Sequence, residues 1–125
     1  MKTEFRLITV AAIAAILISP IVVRGGSRSR PLNEDAAVKL LERTLKRDRA
    51  YEKRISLGCF SDDTEETTDS YFQFALRENH NAKCGGDPEI SPLVGRYRVY
   101  RRSSKIEQWE AIEDKWHAYK GAQTK

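Results

Sequence analysis

Two cysteines, two histidines and two clusters of opposite charge hold most of the side chains that could do chemistry in this sequence. Cys59 and Cys84 are the only cysteines, so a single intramolecular pairing is open to them. A disulfide is the reading that suits an exported chain. A rival reading makes His80 and Cys84 metal ligands, with Glu78 or Asp87 nearby. Structural zinc sites take four Cys/His ligands, often in paired CxxC or HxxxH spacing, and this stretch supplies a single pair, His80 and Cys84. A Cys–His nucleophile built from Cys59 or Cys84 with His80 or His117 needs a free thiolate, which an oxidising compartment removes. The chain has no GxSxG, HExxH or P-loop, and no GxGxxG after a strand. His80, in a polar loop, reads as solvated, and His117, close to Trp116 and Tyr119, as a packing or surface residue. The expectation is a protein that is not an enzyme and holds no metal or cofactor.

The acidic cluster is Asp62, Asp63, Glu65, Glu66 and Asp69. It lacks the spaced ligands and turn glycine of an EF-hand, and acid–base work normally needs one carboxylate partly buried, which is not what so hydrophilic a run predicts. It reads as a solvated hairpin tip or a partner-binding loop. The basic cluster is Arg96, Arg98, Arg101, Arg102 and Lys105. Arg96 and Arg98 alternate and share a sheet face with Tyr100, which reads as a solvated face or as an anion-binding one. Segregated charge of both signs suits the steering of a protein partner.

These groups need elements to place them. Asn33 is a good helix N-cap, and Glu34 and Asp35 suit the first turn. Ala37, Leu41 and Leu45 recur every four residues, widened by Val38 and Leu40, so the spacing predicts an amphipathic helix over 34–49. From there the period changes to two. Ile55, Leu57 and Cys59 predict a first strand, and Phe72, Phe74 and Leu76 a second over 71–77. Residues 78–92 form a loop in which Gly85-Gly86-Asp87-Pro88 turns tightly and positions Cys84. A third strand is expected over 94–101, a turn at Ser103-Ser104, and a fourth strand over 105–112. Trp116 and Tyr119 are expected to fold back on the core. The fold class is therefore α+β, one N-terminal amphipathic helix packed on a four-stranded antiparallel meander, after a signal or anchor segment.

The first 25 residues read as an address. Lys2 and Arg6 precede an apolar run from Leu7 to Val23, broken in character only by Ser19 and Pro20. Its length, roughly 17 residues, is the lower edge of what spans a bilayer, and Pro20 near its end favours a cleaved signal with Gly25 last. Residues 26–32 follow as a flexible linker, 33–120 as one domain and 121–125 as a frayed tail. The whole chain carries a net charge of +4. Losing residues 1–25 removes Lys2, Arg6, Arg24 and Glu4 and leaves about +2, so the compositional case for a nucleic-acid partner falls away.

The ending YRVYRRSSKIEQWEA at 97–111 resembles the close of a PepSY-type domain, with Ser104 where glycine is usual at the turn. Together with Cys84-Gly85-Gly86-Asp87-Pro88 it resembles small exported bacterial proteins. PepSY-like and cystatin-like folds imply inhibition or modulation of extracytoplasmic enzymes, an implication by analogy of fold. The expected function is thus a small periplasmic or secreted binding protein that inhibits or modulates such an enzyme, for example an immunity protein against a secreted cell-wall-degrading toxin. Its expected docking residues are Asp62, Asp63, Glu65, Glu66, Asp69, Asp87, Arg96 and Arg98, carried on the stretch 61–70, the turn 85–92, or both. The alternative is a structural or assembly component of the envelope, anchored to the inner membrane by an uncleaved 7–23. A third reading, a small hydrolase or ligand carrier, requires an apolar cavity lined by Phe72, Phe74 and Trp109.

Overall fold

A computed structural model describes residues 29–121; the signal or anchor segment and most of the tail lie outside the described residues. Helix α1 spans Glu34–Arg47. Its N-cap is Asn33, whose Oδ1 accepts the Ala36 amide at 2.9 Å, and its acidic first turn and basic last turn complement the helix dipole. Asn33→Ala is expected to destabilise the domain by about 1 kcal/mol, read from a shifted urea midpoint at unchanged slope. Ala37, Leu41, Thr44 and Leu45 form the buried stripe.

The sheet has five antiparallel strands in sequential order: β1 Phe60–Thr67, β2 Tyr71–Glu78, β3 Leu93–Tyr100, β4 Ile106–Glu110 and β5 Lys115–Ala118. The α+β class and the helix-then-meander order match the sequence reading, but the strand count is five rather than four. The register pairs Phe74 with Tyr97 and Phe72 with Val99, which stacks the apolar residues of β2 and β3 on one face. That face meets α1, and Leu41, Leu45, Phe74, Tyr97 and Val99 are the largest fully buried side chains.

Two boundaries differ from expectation for physical reasons. Ile55, Leu57 and Cys59 alternate, yet they lie in turns and a 3-10 turn over Leu57–Cys59. Tyr51 sits at φ 63°, and its carbonyl accepts the Arg54 and Ile55 amides at 2.8 and 3.2 Å, so the chain coils here instead of extending. The acidic run expected as a loop is β1 itself. Its inward positions Asp62 and Thr64 lie at the sheet edge, where polar residues are tolerated; Thr64 Oγ1 donates to Glu34 at 2.5 Å. Only Thr68–Ser70 turn the chain, with the Thr68 hydroxyl accepting the Ser70 and Tyr71 amides at 3.2 and 3.0 Å. At the far edge Tyr119 does pack on the core, edge-on to Tyr97 at 6.0 Å. Trp116 instead lies tilted on Trp109 at 5.3 Å, on the face away from the helix.

Candidate functional site

The segment between β2 and β3 leaves the sheet and returns as a braced loop, residues 79–92. Cys59 and Cys84 are joined in a disulfide, with Cα atoms 5.7 Å apart, and this ties the loop to the start of β1. The Asn79 amide donates to the Cys59 carbonyl at 2.7 Å, reinforcing the same tie. Asn81 caps the first turn: its Oδ1 accepts the Lys83 and Cys84 amides, both at 2.9 Å, and its backbone exchanges bonds with Gly85. Asp87 caps the second, its Oδ1 accepting the Glu89 amide at 3.0 Å. At the return, the Ser91 hydroxyl donates to the Glu78 carbonyl at 3.0 Å, and the Glu78 amide donates to Pro92 at 2.9 Å.

Under the loop sits a charged cluster that the sequence did not announce. Glu78 ends the inward face of β2 and is buried. Arg54 and His80 both bond its carboxylate, His80 Nε2 at 2.9 Å from Oε2. These two partners, His80 first, hold the Glu78 carboxyl below the ordinary carboxylate range, while Glu78 holds the His80 imidazole above its usual value. His80 Nδ1 faces the Asp87 carbonyl at 3.0 Å. The His80 side chain is only 14% exposed, so the solvated histidine expected from its polar neighbours is an internal brace. The pattern Glu78-x-His80 continuing the alternation of β2 was the available signal. Gly86 belongs to the same arrangement: it lies at φ 80°, and a Cβ there would stand 2.5 Å from His80 Cγ, so only glycine lets the backbone lie against the ring.

The loop's crest faces solvent. Gly85 through Ser91 are exposed, and among them Ile90 is a large apolar residue at 53% exposure. Leu93 adjoins it where the chain re-enters the sheet, also exposed.

The residues expected to dock are divided between faces. Asp62 points to the helix side, half-buried near Leu45 and Phe60, and burial pushes its carboxyl up. Asp63, Glu65, Glu66, Arg96 and Arg98 share the open face of β1–β3. There the two charge signs interdigitate instead of segregating. Glu65 takes Arg96 Nε at 2.9 Å and Gln73 at 3.0 Å, which overcome its partial burial and lower its carboxyl. Asp63 meets Arg77 at 3.5 Å, and Glu66 meets Arg98 at 3.9 Å. The Arg98 guanidinium also lies over the rings of Tyr71 at 4.4 Å and Trp116 at 4.1 Å. Asp69 stands exposed in the β1–β2 turn, and Asp87 in the loop.

Cys84 is committed to the disulfide, and among the described residues no three His, Cys, Asp or Glu side chains converge as metal ligands. Phe72 and Phe74 are buried against the helix while Trp109 is on the opposite face, so the three do not line one cavity. No described helix is long and apolar enough to cross a membrane. No protein-family model, curated protein or solved structure matches the chain.

Proposed function

We propose that this is a small exported binding protein that inhibits or modulates an extracytoplasmic enzyme by seating loop 79–92 in the enzyme's cleft. The observation that carries this is a loop anchored at both ends and across its middle that nonetheless presents an exposed isoleucine at its crest. A loop already held in one conformation loses little entropy on binding, and a protruding apolar side chain supplies the anchor that a cleft can desolvate. The open sheet face offers less, because its charges of both signs interdigitate and present a partner with no patch of one sign to steer to. Asp87 is the one expected docking residue on the loop, and Arg96 and Arg98 take the role of stiffening the sheet.

The disulfide suits an oxidising compartment, and a leader over residues 1–25, as read from the sequence, would supply a route there. A PepSY-like kinship, proposed on residues 97–111, points to the same class of task. Affinity capture from an extracytoplasmic extract, with wild-type and Ile90→Asp proteins as bait, tests the proposal. Retention of the captured enzyme should weaken by about 30-fold or more with Ile90→Asp, the effect of losing a central anchor. Equal retention by both baits would remove the loop from the interface. Intact-mass measurement addresses the anchored alternative: a product beginning near Gly26 excludes it, and an uncleaved leader favours it.

A further inference from the structure

The His80 ring has an acceptor on each side, and this sets a requirement that a neutral imidazole cannot meet. Nε2 faces a Glu78 carboxylate oxygen at 2.9 Å and Nδ1 faces the Asp87 carbonyl at 3.0 Å. Neither acceptor carries a hydrogen, so satisfying both takes two ring N–H groups, the imidazolium. A neutral ring must turn a lone pair toward one of the two oxygens. Gly86 packs against the ring face, so the ring cannot swing aside without moving the loop backbone.

We infer that His80 is a pH-sensitive latch on the docking loop: its imidazolium pins the 85–90 crest to β2, and loss of the ring proton releases it. The consequence for a partner rests on the loop being the docking element, but the latch is a property of the free protein. Two charged groups face it, Glu78 from β2 and Asp87 on the loop itself, and Arg54, from the segment between α1 and β1, shares the Glu78 carboxylate from its other oxygen. Arg54 addresses the Glu78 carboxylate and keeps it ionised. The signs give a window. The His80 proton is bound more tightly in the folded protein, so the latch is fully set below the ordinary histidine value of about 6.5 and opens as pH rises through the higher folded value. Glu78 ionises more readily when folded, so its half of the contact is lost only as pH falls through its depressed value.

NMR titration of the His80 ring in the oxidised full-length protein, with hydrogen-exchange protection of the Gly85 and Ile90 amides corrected for intrinsic rate, tests this without any partner. The expected midpoint lies above about 6.5. Protection of those two amides should fall by about tenfold across it while that of β2 and β3 holds, and His80→Gln should flatten the loop's pH response. A midpoint at or below the ordinary value, or loop protection with the same pH course in His80→Gln, overturns the latch. Because the protein is free in both measurements, either result leaves the enzyme-docking proposal to stand or fall on the capture experiment.

Discussion

Replacing Phe74 with alanine should remove about 3–5 kcal/mol of stability, a large part of the margin of about 5–15 kcal/mol typical of such a domain. Phe74 is fully buried at the middle of β2, opposite Tyr97 in the register and packed with Phe72 at 6.2 Å between ring centres. Helix α1 closes the site from above with Leu41 and Leu45 in the same cluster. Strands β1 and β3 hold β2 on both sides, so the backbone has little freedom to collapse into the void. The loss is then the transfer term plus most of a cavity term. Urea unfolding followed by near-ultraviolet circular dichroism measures it. A loss below about 1 kcal/mol would mean that the helix does not seat on this part of the sheet.

Opening the disulfide should cost about 3–4 kcal/mol, because the bridge closes a stretch with a sequence separation of 25 and restricts the unfolded chain. For a domain of this size that corresponds to a melting temperature about 15–25 °C lower. Scanning calorimetry of wild type and the double Cys59→Ser, Cys84→Ser variant reads it directly. The effect has a local part as well. Cys59 lies where the 3-10 turn enters β1, so the bridge holds the end of an edge strand and the docking loop together. Without it, the Asn79–Cys59 backbone bond and the His80 contacts carry that task alone. An unchanged melting temperature on removal of the bridge would show that the loop is held without it.

Helix α1 and strands β2 and β3 were legible because each has one apolar and one polar face, at periods of four and two. The turns at Gly85-Gly86 and Ser103-Ser104 were legible because few residues accept the backbone those turns need; Ser104 itself sits at φ 58°. Strand β1 was not. Its inward residues Asp62 and Thr64 sit at an edge beyond most of the helix's cover, so neither of its faces is apolar and no alternation shows. Its place is dictated by β2, whose open hydrogen-bonding edge it fills. Ile55, Leu57 and Cys59 misled in the opposite direction: the alternation is real, but turn bonds from the Tyr51 carbonyl set the backbone. Strand β5 is four residues long and pairs only with β4, too short for a period to register.

The charged residues followed the same logic. The sequence showed two clusters of opposite sign, 62–69 and 96–105, but not that antiparallel pairing through β2 lays Glu65 beside Arg96 and Glu66 beside Arg98. Long-range register converts an apparent pair of patches into a neutralised face. His80 was hidden for a related reason: the Glu78 carboxylate it bonds is shared with Arg54, which lies 24 residues from Glu78 in the sequence. The disulfide is legible in the sequence, since two cysteines leave one intramolecular choice.

The docking role depends on loop 79–92 being as stiff as the sheet that carries it. Backbone 15N relaxation on the free, oxidised protein near pH 6 measures that stiffness residue by residue. Order parameters of about 0.85 from Asn81 to Ile90, matching β2 and β3, are the predicted result. Values below about 0.6 across the crest would show a flexible segment and contradict the account.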